Sequence, residues 1–305
     1  MTQGGSSVAA FEGLRGRLFG LAYRMLGSRA DAEDIVQEAY VRWNEVTKDR
    51  IDNPEAWLVT TTSRLAIDRL RRLKTEREAY VGQWLPQPIV TDAPPDRHLD
   101  LADDLSMAFL TLLERLAPEE RAAFLLHDVF DVGYPEIASV IEKTESAARQ
   151  VVHRAREGVR GERKRFDVSE SARETLMQRF LAATEARDEQ AVLALFAPDA
   201  TWTADGGGKT HAALKVVQGG DRVARFLLGV LGPYVEQIEF RGVTVNGEPG
   251  LALSFGGQVI AIWAIQTDGQ RILGGYAVLN PDKLRAVTTS PQSTSSPIPT
   301  NGRRT

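Results

Sequence analysis

Apolar positions recur at helical spacing through the first half of the chain. Leu14, Leu18, Leu21, Ala22 and Met25 mark one helix, which Gly27-Ser28 ends. Arg29-Ala30-Asp31 opens the next. There Ile35, Val36, Ala39, Tyr40 and Trp43 make a wide apolar stripe, with Asp34, Gln37, Glu38 and Arg42 on the other side. Asn53-Pro54 is a helix start, because Asn caps free amides and Pro suits the first helical position. The pattern predicts a helix from Pro54 to about Leu73. It then breaks in YVGQWLPQPIVTDAPPDRH, whose four prolines predict an extended linker. A passive spacer has no use for Tyr80, Trp84 and Leu85, so the linker is expected to dock on another part of the chain.

Helical spacing returns over residues 99–166. Leu105, Phe109, Leu112, Leu113 and Leu116 mark one helix, and Pro118 opens another. Pro135–Ile141 reads as a short helix, Glu142-Lys143 as a turn, and Thr144 as the N-cap of a helix running from Ser146. In that helix Ala148, Val152, Ala155 and Val159 face inward, while Arg149, Gln150, His153 and Arg156 face out. This is a helix-turn-helix pattern with a polar, basic second helix.

Beyond residue 172 the period changes. Leu176 to Phe196 reads as helix, Thr201-Trp202-Thr203 as strand, and Asp221 to Val230 as helix. Four β-rich runs follow: VEQIEFRGVTV, LALSF, QVIAIWAIQT and RILGGYAVL. The hairpin signals Asn246-Gly247, Gly256-Gly257 and Asp268-Gly269 separate them. Helices followed by an antiparallel meander predict a separate α+β domain. The expected division is 8–78 and 101–166 as two all-α domains, 79–100 as linker, 172–286 as the α+β domain, and 287–305 as a Ser/Thr/Pro-rich disordered tail.

Composition narrows the function classes. The chain has 305 residues and Cys 0, which removes disulfides, thiolate metal sites and cysteine nucleophiles. Its His 4 are scattered without metal-ligand spacing. No cationic start leads into an apolar core, and no run approaches about 18 apolar residues, so no signal peptide and no membrane span are expected. A cytoplasmic protein without a cofactor fits these features. The net charge of -4 argues against a generally basic nucleic-acid binder, but its distribution is uneven. Arg64 to Arg77 holds 6 Lys/Arg against 2 Asp/Glu, and Lys143 to Arg165 holds 8 against 3. Between them, Asp96 to Glu120 holds 2 against 7. Two basic helical patches separated by an acidic stretch suggest two contacts with a polyanion. Arg149 and Gln150 can reach base edges, and Arg154, Arg156 and Arg160 can bind phosphates. The bland alternative is a solvated basic face on a structural helical hairpin.

TADGGGKTHA (203–212) suggests a phosphate-binding loop, but the spacing refuses it. G-x-x-x-x-G-K-[ST] needs glycine at position 203, where Thr203 stands. The run reads instead as a bendable tip carrying one charge, Lys209.

DAEDIVQEAYVRW (31–43) followed by PEAWLVTTTSRLAIDRLRR (54–72) resembles region 2 of the bacterial extracytoplasmic-function (ECF) RNA polymerase sigma factors. LERLAPEERAAFLLHDVFDVGYPEIASVIEKTESAARQVVHRARE (113–157) resembles region 4. The remainder resembles a SnoaL-like domain of the NTF2-like fold. YVGQWLPQP (80–88), DGGGK (205–209) and NPDKL (280–284) resemble motifs of the SigJ-type group that carries this extension. The resemblance implies a multidomain chain of two all-α domains followed by an α+β NTF2-like cone. It implies that Asp34, Gln37, Glu38 and Trp43 bind the β′ clamp helices of core RNA polymerase, with the β flap as a second polymerase contact. The loop Lys48–Asn53 and the helix bearing Arg64, Arg71 and Arg72 would capture the unpaired −10 element by stacking and cationic backbone contacts. Ser146, Arg149, Gln150, His153, Arg154 and Arg156 would read the −35 element. Glu142-Lys143-Thr144 departs from the family, where Gly followed by an apolar residue is common, and puts the turn geometry in question.

The group generally lacks a separate membrane-bound anti-sigma factor, so the fused domain is expected to regulate. Tyr80, Trp84, Asp205, Gly206, Gly207, Gly208, Lys209, Asn280, Pro281, Asp282 and Lys283 are the expected interdomain residues, with Lys209 pairing a carboxylate of region 2 or of the linker. NTF2-like cones carry an apolar pocket, so a small-molecule ligand is a further candidate partner. Acid–base chemistry there would need Asp199, Asp205 and His211, but each has a plain turn or loop reading. Two other classes compete. A one-component helix-turn-helix regulator with a ligand pocket explains 99–286 but not 31–72. An enzyme fused to a DNA-binding module needs a convergent acid–base pair.

Overall fold

The computed structural model describes residues 3–46, 51–91, 105–159, 168–285 and 287. Residues 48–50 of the −10 loop, 92–100 of the linker, 101–104 and 160–166 of the second all-α domain (Arg160 among them) and nearly all of the C-terminal tail therefore lie outside the described residues.

Three helices open the chain: α1 (Gln3–Leu26), α2 (Arg29–Glu45) and α3 (Pro54–Glu78). Their ends follow the local chemistry. Ser28 caps α2 by accepting from the Asp31 amide at 3.3 Å, and Asn53 caps α3 by accepting from the Ala56 amide at 3.1 Å. The helix α3 runs past Leu73 to Glu78, because Lys74, Glu76 and Arg77 are good helix formers. Leu18, Leu21, Met25, Trp43, Leu58 and Ala66 fill the space between the three.

The next unit comprises α4 (Met107–Leu113), α5 (Pro118–Asp128), α6 (Tyr134–Val140) and α7 (Glu145–Val159). Leu105 and Leu116 fall outside α4 but are buried all the same. Between α6 and α7, Glu142 takes a left-handed φ of 54°, in the segment where the family commonly has Gly. The Lys143 amide returns to the Ala138 carbonyl at 2.9 Å, and Thr144 Oγ1 accepts from the Ala147 amide at 3.3 Å. The helix-turn-helix geometry is thus kept despite the departure in sequence. One continuous apolar core joins this unit to the first, with α5 and α6 packed on α3 and α4 and α5 on α1.

The last unit begins with α8 (Glu170–Glu185) and α9 (Glu189–Leu195). The single helix expected there is split at Arg187, which has φ 53°, and Asp188 caps the second piece. Then come β2 (Phe196–Asp205), β3 (Val217–Gln218), α10 (Gly220–Leu231), β4 (Ile238–Val245), β5 (Glu248–Phe255), β6 (Gln258–Thr267), β7 (Ile272–Val278) and α11 (Pro281–Leu284). The strands β4 to β7 form the expected antiparallel meander. The strand β2 pairs parallel with β7, since the chain crosses over through α10 and brings the last strand back beside the first. Trp202 and Trp263 meet edge to face at 4.8 Å, and Phe180 packs on Trp263 at 6.2 Å, so aromatic rings occupy the interior of the cone.

A short strand from the linker, β1 (Val90–Thr91), adds to the edge of β4, with Val90 opposite Val245 and Thr91 opposite Thr244. On the outer face of the sheet, Leu85 of the linker and Met107 of α4 share a second apolar core with Val245, Ile262, Val278 and Leu284. The linker is therefore a structural seam between the helical units and the cone.

Candidate polymerase and promoter surfaces and the junction that joins them

On α2, Asp34, Gln37 and Glu38 are exposed along one face, and Glu38 accepts from Arg42 one turn on at 2.6 Å. Trp43 does not belong with them. Its side chain is 2% exposed and packs on Trp57 at 5.5 Å, so it serves the core and cannot reach a partner. The helical stripe that made it apolar is the reason it turns inward.

The basic side chains nominated for DNA are exposed but engaged. From α3, Arg64 Nη2 donates to the Ser139 carbonyl at 2.6 Å and to its hydroxyl at 3.1 Å. Arg71 is bonded to Glu119 of α5 and to Asp68. Arg72 is exposed next to Arg71, and Asn53 is exposed at the N-terminus of α3. On α7, Ser146, Arg149, Gln150, His153, Arg154 and Arg156 all lie on the outer face. Arg149 donates to Glu145 at 2.6 Å and lies 4.2 Å from the Tyr134 ring centroid. Arg154 reaches Glu120 at 3.4 Å, and Arg156 forks onto Asp128 at 2.8 to 3.0 Å. Arginines that bind DNA must exchange these carboxylates for phosphates or base edges. In this arrangement two of the −10 candidates on α3, Arg64 and Arg71, are held by the second helical unit.

Trp84 and Lys283, two of the expected interdomain residues, meet beside the C-terminus of α1. Helix ends leave carbonyls without intrahelical partners. Here Arg121 Nη1 donates to the Met25 carbonyl at 2.7 Å, and Arg77 Nη2 to the Leu26 carbonyl at 2.6 Å. Glu114 bridges the two arginines. Gly27, with φ 64°, ends α1, and its carbonyl accepts from the Gln87 amide of the linker at 2.8 Å. A Cβ on Gly27 would lie 2.7 Å from the Trp84 ring, so the glycine is needed for this approach. The Trp84 ring in turn receives the Arg77 guanidinium at 3.7 Å and the Lys283 ammonium at 4.1 Å from ring centroid.

At the base of the glycine run, Asp205 is completely buried. Its carboxylate accepts from the Tyr80 hydroxyl, from the Leu85 amide at 2.8 Å and from Lys283 Nζ at 2.6 Å. Buried charge is tolerated only when paired in this way. Asn280 Nδ2 donates to the Tyr80 hydroxyl at 2.8 Å, and Asn280 Oδ1 caps α11 on the Asp282 amide, with Pro281 at the first helical position. Burial, then the neighbouring Asp205 charge, pushes the Tyr80 phenol up, which keeps it a donor. Burial pulls the Lys283 ammonium down to about 8, with Asp205 opposing that shift.

One expectation needs correction here. Lys209 pairs with Asp282 of its own domain, not with region 2 or the linker, because the loop folds back on α11. The glycine run packs on α11 and on the linker: a Cβ at Gly207 would lie 2.3 Å from Asn280 Nδ2, and one at Gly208 3.0 Å from Val81. A Cβ at Gly206 would lie 2.5 Å from the Thr210 carbonyl oxygen. The acid–base set does not assemble, since Asp205 is committed to the junction while Asp199 and His211 are exposed. Arg77, Glu114, Arg121, Gly27 and Asn246 were missed by sequence reading. Each looked like ordinary helix or turn, and only burial at a shared junction sets it apart.

Two helical modules that present basic faces, joined by a clamped linker, define the class: a promoter-reading initiation factor. The sigma-70 region 2 family model matches residues 10–76, and that for sigma-70, region 4 matches residues 106–157. The first of these matches covers the segment that a one-component regulator leaves unexplained. The ECF RNA polymerase sigma factor SigJ of Mycobacterium tuberculosis (strain ATCC 25618 / H37Rv) is 40% identical over 290 residues, covering 91% of this chain and 93% of that protein. A crystal structure of the Mycobacterium tuberculosis SigJ matches with a TM-score of 0.74 at 38% identity, covering 91% of this chain and 98% of that one. The probable ECF sigma factor SigI of Mycobacterium tuberculosis (strain CDC 1551 / Oshkosh) is 32% identical over 231 residues, 75% of this chain and 78% of that protein. The chain belongs to the ECF RNA polymerase sigma factors. It is an alternative sigma factor of transcription initiation, with core RNA polymerase and promoter DNA as the partners that regions 2 and 4 imply.

Proposed function

We propose that the fused cone restrains this sigma factor in a closed form and that initiation requires its release. The supporting observation is that the α3 arginines suited to the −10 element are held by region 4, at Ser139 and Glu119. The linker that would let region 4 move away is bolted to the cone through Asp205 and Lys283. In the released form Asp34, Gln37 and Glu38 meet the β′ clamp helices, and region 4 takes the β flap. Asn53, Arg64, Arg71 and Arg72 take the −10 element, and Ser146, Arg149, Gln150, His153, Arg154 and Arg156 the −35 element. Tyr80, Trp84, Asp205, Asn280 and Lys283 carry the restraint, and Gly206–Gly208 with Lys209, Pro281 and Asp282 shape the loop and helix that present it. The restraint serves in place of a separate anti-sigma factor, in the cytoplasm where core polymerase is found. The filled interior of the cone favours this restraining role over a ligand pocket or an enzyme.

Run-off transcription with core RNA polymerase tests the reading. Glu119→Ala, which frees Arg71 from region 4, should yield about twofold more transcript than the full chain, and a chain ending near Phe166 several-fold more. Less transcript from both would make the cone a scaffold that the holoenzyme needs, and would overturn the restraint.

A further inference from the structure

Asn246 reads in the sequence only as half of a hairpin signal, yet its side chain is buried in the seam and fully used. Its Oδ1 accepts from the Ile89 amide at 2.7 Å, and its own amide donates to the Ile89 carbonyl at 2.8 Å. Its Nδ2 donates to the Tyr23 hydroxyl at 3.1 Å and the Leu105 carbonyl at 3.0 Å, and lies 3.6 Å from Met107 Sδ. Tyr23 belongs to α1, Ile89 to the linker just before β1, and Leu105 to the start of region 4. The Tyr23 hydroxyl donates to the Gln87 carbonyl at 2.6 Å, so its lone pair is free to accept from the Asn246 side-chain amide. One side chain of the cone thus holds region 2 and both ends of the connector that runs to region 4.

We propose that Asn246 is the clasp between the two DNA-reading modules: its amide must release Leu105 before region 4 can leave region 2. The inference rests on the reading of the cone as a restraint. Asn246 touches neither polymerase nor DNA in this role, so it is a positioning residue. Its φ of 53° lets the backbone accept Gly or Asp without strain, which makes the clasp separable from the hairpin that carries it. Asn246→Asp keeps the acceptor for Ile89 but sets a carboxylate oxygen against the Leu105 carbonyl. Asn246→Gly removes the clasp altogether.

The experiment uses the full chain, whose lack of cysteine allows clean labelling. Spin labels on Glu12→Cys in α1 and Glu136→Cys in α6 report the distance between the modules. Asn246→Asp and Asn246→Gly should each raise the long-distance population at least about tenfold, the effect of losing two or three buried hydrogen bonds. Gly247→Ala, which strains the same turn at φ 82° without touching the clasp, should leave the distances unchanged. Unchanged distances in both Asn246 variants would overturn the proposal, as would equal opening in Gly247→Ala. Run-off transcription on the same variants reads the restraint separately. Opening without added transcript keeps the clasp and removes the restraint. Fixed distances, with added transcript from Glu119→Ala, do the reverse.

Discussion

Trp84 shows how much one side chain can couple. It packs on Gly27 of α1 and takes a cation on its ring from region 2, Arg77, and another from the cone, Lys283. Trp84→Ala should cost about 2 kcal/mol of stability, from lost packing and two partly desolvated cation–π contacts. A shift of the thermal transition read by circular dichroism checks it, and an unchanged midpoint would show the ring to be idle. Asp205→Asn should cost more, about 3 kcal/mol, since it leaves the Lys283 ammonium buried without its counter-charge. Lys283 also gives the junction a pH dependence. Burial lowers its docked pKa from 10.5 to about 8. The docked form therefore binds fewer protons than the undocked one between those values, so docking strengthens as pH rises through that window and weakens as pH falls back towards 8. Thermal midpoints measured across the window should rise in the wild type and stay flatter in Lys283→Met.

At the scale of elements, the helix-turn-helix is the most instructive. The turn between α6 and α7 needs a left-handed residue, and the sequence supplies Glu142 where a side chain gains nothing. Glu142→Gly should stabilise region 4 by about 1 kcal/mol, because glycine adopts that conformation without penalty. A lowered melting temperature would refute the strain. The strand β1 carries the opposite lesson. Two residues of a proline-rich linker become a strand only because the edge of β4 offers unpaired amides and carbonyls, a partner that lies far away in sequence.

Across the whole molecule, the closed form rests on apolar packing more than on its ion pairs. Arg71 is 53% and Glu119 28% exposed, and such pairs contribute about 0.5 kcal/mol each. The continuous core from Phe11 to Val159 is indifferent to salt. The radius of gyration in solution scattering should therefore stay constant from low salt to about 1 M, where surface charges are screened within about 3 Å. Expansion at high salt would mean that charge, not packing, holds region 4 down. Opening then calls for a competitor that offers its own apolar and acidic surface.

The sequence alone determined the helices of regions 2 and 4, their caps at Asn53 and Thr144, the exposed face of Asp34, Gln37 and Glu38, and the meander of the cone. These are local matters of period, capping and turn chemistry, readable from neighbours a few residues apart. It also marked Tyr80, Trp84 and Leu85 as unusual for a linker. Only the tertiary structure decided that Trp43 turns inward, that β2 runs parallel to β7, and that Lys209 answers Asp282. It alone brought Asn246, Arg77, Glu114 and Arg121 to one junction, because their partners lie tens to hundreds of residues away and their roles come from burial, which no local pattern encodes.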